Sequence, residues 1–167
     1  MLAAVIDARP EPMALTATLG PLVRGVIEGL IGSAILVVRA RTSEIDQIAD
    51  AAGCRVLVAE EWREGFARAV NNVPGLGILV LDTGLLVGPD FWPLLGDTLP
   101  MIGQRPAATE PAIRAGIGSP LRLAGRFWNK ATGRVDRDTA LLLPPSRARE
   151  IAQAKADPYA LSYGKEL

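Results

Sequence analysis

At 167 residues, with 49% hydrophobic and 22% charged side chains, the chain is long enough for one globular domain and too apolar for intrinsic disorder. Lys+Arg and Asp+Glu both number 18, so no overall charge points to nucleic acid. Histidine is absent and Cys54 is the single cysteine, which excludes Ser-His triads, Cys-His dyads, zinc-histidine sites and an internal disulfide. Any chemistry falls to carboxylates, hydroxyls, Arg, Lys or a bound ion.

Charge is uneven along the chain. Residues 1–100 carry 7 Arg/Lys against 12 Asp/Glu, a net of −5, and residues 101–167 carry 11 against 6, a net of +5. Such a split either marks an anionic partner for the C-terminal part or lets the two parts attract each other within one domain. The N-terminus lacks a basic start, and its apolar run stops at Asp7. The longest apolar stretch, residues 19–38, is interrupted by Arg24 and Glu28, which disfavours a membrane span. These features predict a cytoplasmic protein without a transmembrane segment.

In chain order, residues 2–6 read as a buried strand leaving into Asp7-Ala8-Arg9-Pro10. Residues 13–31 place Leu15, Leu19, Leu22, Val26 and Leu30 at helical spacing. A second strand follows at 34–38. Thr42 and Ser43 are candidate caps for a helix that Gly53 stops. Residues 54–58 are a third strand, in which Cys54 reads as a buried small hydrophobe. A third helix is predicted at 60–70 and a fourth strand at 77–81, running into Asp82. Beyond Pro89 the spacing predicts a helix at 91–99, a strand or two within 101–118, a helix at 121–132, a strand at 140–143 and a last helix at 145–156. The organisation expected is one α/β domain over 1–156 with a tail at 157–167.

Apolar strands alternating with helices imply a mostly parallel sheet covered on both faces, in a three-layer Rossmann-like sandwich. In such sheets ligands bind beyond the carboxyl ends of the strands, where Asp7, Arg39, Glu60 and Asp82 lie. No Gly-x-Gly-x-x-Gly follows the first strand, which disfavours an ordinary dinucleotide site, and no Gly-Lys-Ser/Thr loop occurs, which excludes a P-loop.

Three short stretches fall in an informative order: Gly65-Phe66-Ala67-Arg68-Ala69-Val70-Asn71, then Ile78-Leu79-Val80-Leu81-Asp82-Thr83, then Leu85-Leu86-Val87-Gly88-Pro89-Asp90-Phe91-Trp92. This order resembles the family-two glycosyltransferases of GT-A fold. In that family a Gly-Phe-Ala-x-Ala-x-Asn helix precedes a strand ending in an acidic motif, and a Leu-x-x-x-Pro-x-Phe/Trp segment follows. Glu11 is what remains of the family's first-strand signature, and the Ala-Ala-Gly-Cys-Arg-Val run at 51–56 suits its third strand. The resemblance covers residues 2–95 well and 115–150 weakly.

The resemblance implies a nucleotide-sugar donor and a divalent Mg²⁺ or Mn²⁺ ion that offsets the diphosphate charge. It makes Asp82 the metal-binding aspartate and Asp138 the base for the acceptor hydroxyl. The candidate donor-binding residues are Glu11, Arg39, Arg41, Arg68 and Asn71. The chain departs from the pattern at Arg39, where the family has its nucleotide-base aspartate, and at Val80, where it has the first metal acid.

Each residue also has a structural reading. Asp82 can cap a turn, Asn71 a helix end, and Asp138 can be a solvated loop acid. Arg39 and Arg41 either hold a phosphate at a helix N-terminus or pair with Glu44 or Glu60. Trp62, Trp92 and Trp128 read as packing residues. Three functions stay open: a small glycosyltransferase, a non-catalytic relative binding a protein or small anion, and a nucleotidyltransferase-like domain, against which the missing glycine loop counts.

Overall fold

A computed structural model of the chain describes residues 1–88, 90–101, 107–109, 113–114 and 140–160. β1 (Leu2–Asp7) is buried along its whole length, with Ala3, Ala4, Val5 and Ile6 fully inaccessible. Such a strand needs cover on both faces and a neighbour on each side. It pairs in parallel with β2 (Ile31–Val38) and with β4 (Gly77–Asp82), and β2 pairs in parallel with β3 (Arg55–Val58). On the other edge β8 (Ala140–Leu143) runs antiparallel to β4, and β6 (Ala107–Thr109) antiparallel to β8. The sheet order is β3-β2-β1-β4-β8-β6. A separate two-stranded ribbon joins β5 (Leu85–Leu86) to β7 (Ile113–Arg114).

Alternation along the strands divides the core in two. Ala4, Ile6, Leu79 and Leu81 face α1 (Pro12–Ile27), α2 (Ser43–Ala52) and α4 (Phe91–Thr98), which contribute Leu15, Leu19, Leu22, Ile45, Trp92 and Leu95. Ala3, Val5, Ile78 and Val80 face α3 (Trp62–Asn71) and α5 (Pro145–Gln153), which contribute Trp62, Phe66, Val70, Ala148 and Ile151. A 3-10 turn at Pro158–Ala160 places buried Tyr159 against this second core. The predicted three-layer α/β sandwich with a mostly parallel sheet is therefore the observed architecture.

Element ends differ in instructive ways. α1 stops at Ile27, four residues before the predicted end, because Gly29 turns the chain at φ +71°. β2 then starts at Ile31, since Leu2 of β1 already pairs with it. Thr42 is the N-cap of α2, its hydroxyl accepting the Ile45 N–H at 3.2 Å. The helix predicted at 121–132 lies outside the described residues. No helix among the described residues is long and apolar enough to cross a membrane.

Candidate functional site

The strand order reverses at one place. β1, β2 and β3 are laid outward through α1 and α2 on one face; the chain then returns through α3 on the opposite face to place β4 on the free side of β1. The chain leaves β1 into α1 and leaves β4 into β5 and α4, which pack on the same face, so the carboxyl ends of β1 and β4 stand side by side where the strand order reverses. Asp7 and Asp82 are direct register partners at those two ends. Asp7 continues the alternation of Ala3 and Val5, and Asp82 that of Ile78 and Val80, so both lie on the α3 side of the sheet. Both are buried, at 3% and 0% exposure.

The loops above these strands are tied together. Thr83 Oγ1 donates to the Asp7 carbonyl at 2.8 Å and accepts the Arg9 N–H at 3.0 Å. The Thr83 N–H donates to the same carbonyl at 3.2 Å. Gly84, at φ +86°, makes a turn that a side chain would strain. Its N–H donates to Thr18 Oγ1 at 2.8 Å, and that hydroxyl donates to Ala14 in α1 at 3.0 Å. With its backbone thus fixed, Arg9 donates from Nη2 to Asp82 Oδ2 at 2.7 Å. The Arg9 side chain is 42% exposed and that of Asp82 0%, so the pair turns its cation outward and keeps its carboxylate out of water.

The other candidates spread along the carboxyl edge and beyond it. Glu11 is the exposed N-cap residue of α1, two positions after Arg9. Arg39 follows β2 and lines an open depression of about 430 Å³ with Glu60, Glu61, Trp62, Arg63 and Asp157. The depression falls within the size range of small-molecule sites. Its three acids outnumber its two arginines, so it is not built for a phosphate alone. Arg41 pairs with Asp46 at 2.9 Å, a partner different from the predicted Glu44 or Glu60. Arg68 donates to the Val58 carbonyl at 2.8 Å and lies 3.8 Å from Glu64. Asn71 is exposed at the last residue of α3, away from the carboxyl edge where that helix begins. Asp138 lies outside the described residues.

Asp82 and Arg39 are thus brought to one edge, with β1 between their strands, whereas Asn71 is not. Sequence reading missed Arg9. Its signal was a cation two residues past a strand end, with an acid at the end of the next strand in the sheet; only the β1–β4 pairing makes them neighbours. The site does not fit a divalent ion as it stands. Asp82 Oδ2 is taken by a guanidinium, Val80 is apolar and fully buried, and no group of three or more acid, Cys or His ligands occurs among the described residues.

No protein-family model and no curated protein matches the chain. Among solved structures it is similar to glucosyl-3-phosphoglycerate synthase from Mycobacterium tuberculosis. The complex of that protein with Mn²⁺, uridine-diphosphate-glucose and phosphoglyceric acid gives a TM-score of 0.63 at 18% identity, over 87% of this chain and 57% of that one. The complex with uridine-diphosphate gives 0.62 at 17% identity over the same shares. The chain therefore spans little more than half the length of that protein. A 4-diphosphocytidyl-2C-methyl-D-erythritol synthase is similar over 98% of this chain and 92% of that one, with a TM-score of 0.53 at 15% identity. At such identities the likeness concerns the fold, a shortened GT-A-like, Rossmann-like α/β sandwich.

Proposed function

We propose that this chain is a glycosyltransferase-like protein that binds a nucleotide sugar along the carboxyl edge of β1, β2 and β4 and transfers its sugar to an acceptor hydroxyl. The observation that carries the reading is the reversal of strand order between β1 and β4, with a fixed Arg9–Asp82 pair at that carboxyl edge. The depression at Arg39 and Trp62 is of a size to take the nucleoside end. In the transfer the bond from the sugar's anomeric carbon to the diphosphate breaks and one to the acceptor oxygen forms. The acceptor's proton passes to a carboxylate, for which Asp138 is the candidate. The fold is shared with a protein solved with Mn²⁺ and uridine-diphosphate-glucose, which supports the ligand class.

A second reading is a non-catalytic binding module on the same fold. The ion pair that occupies Asp82 and the apolar Val80 favour it, since fold alone does not carry chemistry.

A thermal-shift screen of nucleotide sugars and nucleoside diphosphates, with and without Mn²⁺, tests binding. A ligand at a hundredfold excess over its dissociation constant adds about 2.7 kcal/mol of stability. A shift accompanied by release of nucleoside diphosphate supports the enzyme, and a shift without release under any acceptor supports the binding module. No shift with any nucleotide sinks the glycosyltransferase reading and favours the binding module, whose partner is then a protein or another small anion.

A further inference from the structure

We infer that Arg9, oriented by the buried carboxylate of Asp82, is itself the cation that receives the ligand's diphosphate, so that nucleotide binding at this site proceeds without a divalent metal. The inference rests on the nucleotide reading above and goes beyond it by naming the charged group. Four observations converge on Arg9. It stands just beyond the carboxyl edge where the strand order reverses. Its backbone is held by Thr83, which also binds the Asp7 carbonyl, so the position of its Cα does not depend on ligand. Among the described residues its guanidinium is held at one corner, by an ion pair from Nη2 to Asp82, and the side chain is 42% exposed. A guanidinium carries five N–H donors in a planar fork, a geometry that suits adjacent phosphate oxygens.

The same contact disfavours a metal ion. A divalent cation sharing Asp82 would have to displace the guanidinium from Oδ2 or sit beside it against like charge. The position two residues earlier on β4 offers Val80, buried on the α3 side, where a second acid would be needed. Asp7, the register partner of Asp82, is itself buried, and its backbone carbonyl accepts from the Thr83 hydroxyl and N–H. Hence the site's cation is a covalent part of the chain. The buried aspartate acts as a positioning residue that aims it.

The experiment is calorimetric titration with uridine, guanosine, cytidine and adenosine diphosphates and with inorganic pyrophosphate, each in EDTA and in Mn²⁺. It uses the wild type, Arg9→Lys and Arg9→Gln, with circular dichroism as a check of folding. The expected result is a nucleoside diphosphate that binds equally well in EDTA and Mn²⁺. Arg9→Gln then weakens it by at least about tenfold, the value of one or two charge-assisted hydrogen bonds. Arg9→Lys lies between, since it keeps the charge and loses the fork. If Arg9→Gln fails to fold, Arg9→Lys carries the comparison, because it still neutralises Asp82. Binding that EDTA abolishes, or that both variants leave unchanged, overturns the inference while the nucleotide reading stands. Arg9-dependent pyrophosphate binding with no nucleotide binding supports Arg9 as the anion receptor and overturns the nucleotide reading. No binding of any probe overturns both.

Discussion

A buried carboxylate is costly unless its charge is met, and Asp82 is met by a side chain that reaches it from the next strand's loop. Removing Arg9 should therefore be felt as stability as well as binding. Arg9→Met leaves a charged acceptor buried with one contact fewer and is expected to cost about 3 kcal/mol in urea unfolding. Adding Asp82→Asn should recover part of that loss, because the uncompensated charge goes with it. If the two costs simply add, the pair is not coupled as the geometry requires. Cys54 behaves differently. It stands just before β3, partly packed against the core under α2, and burial pushes its thiol from 9.0 up to about 11. At pH 8 its thiolate fraction is then about a hundredfold below that of an ordinary thiol, and alkylation should slow accordingly. The folded thiol keeps its proton between pH 9 and 11, where the unfolded one loses it. Its contribution to stability is thus full below pH 9 and declines as pH rises through that window.

At the scale of elements, close approach is achieved by small residues. A Cβ on Gly65 would collide with Val37 Cγ1, so α3 lies unusually near β2, and a Cβ on Gly25 would meet the Trp92 ring. Gly65→Ala should destabilise by about 1–3 kcal/mol through overpacking, and Val37→Ala in the same chain should relieve part of it. Gly20 is the contrast: it sits in α1 with open space around its Cβ position, its chain neighbours apart. Gly20→Ala should change stability by less than about 1 kcal/mol, because its gain in helix propensity is opposed by the clash of its Cβ with the ring of Pro21, the next residue of the helix. Thermal unfolding of the three variants checks these magnitudes. In the sequence Gly65 reads as part of a family pattern, and Gly20 and Gly25 as positions within a helix predicted at 13–31. That one of them sets the spacing between helix and sheet depends on what lies across from it, which no local window contains.

For the whole molecule, β1 and β4 form the centre, with neighbours on both sides and helices on both faces. Amide exchange should be slowest in these two strands and faster in the edge strand β3, where Arg55 and Val58 are exposed. Uniform exchange across the sheet would contradict this layering. The sequence alone determined the alternation of strands and helices, because apolar runs bounded by Gly, Pro and Asp are local signals. It also placed Asp82 and Arg39 at strand ends and, through short motifs in order, pointed to the GT-A fold. What it left open was which strands are neighbours. Parallel neighbours are joined by crossovers, so β1 and β4 meet across some seventy intervening residues, and their pairing is decided by packing on both faces rather than by any nearby residue. Only that pairing brings Arg9 to Asp82, 73 positions apart, and so only the tertiary structure decided that the acid at the centre of the edge is held by the chain's own cation.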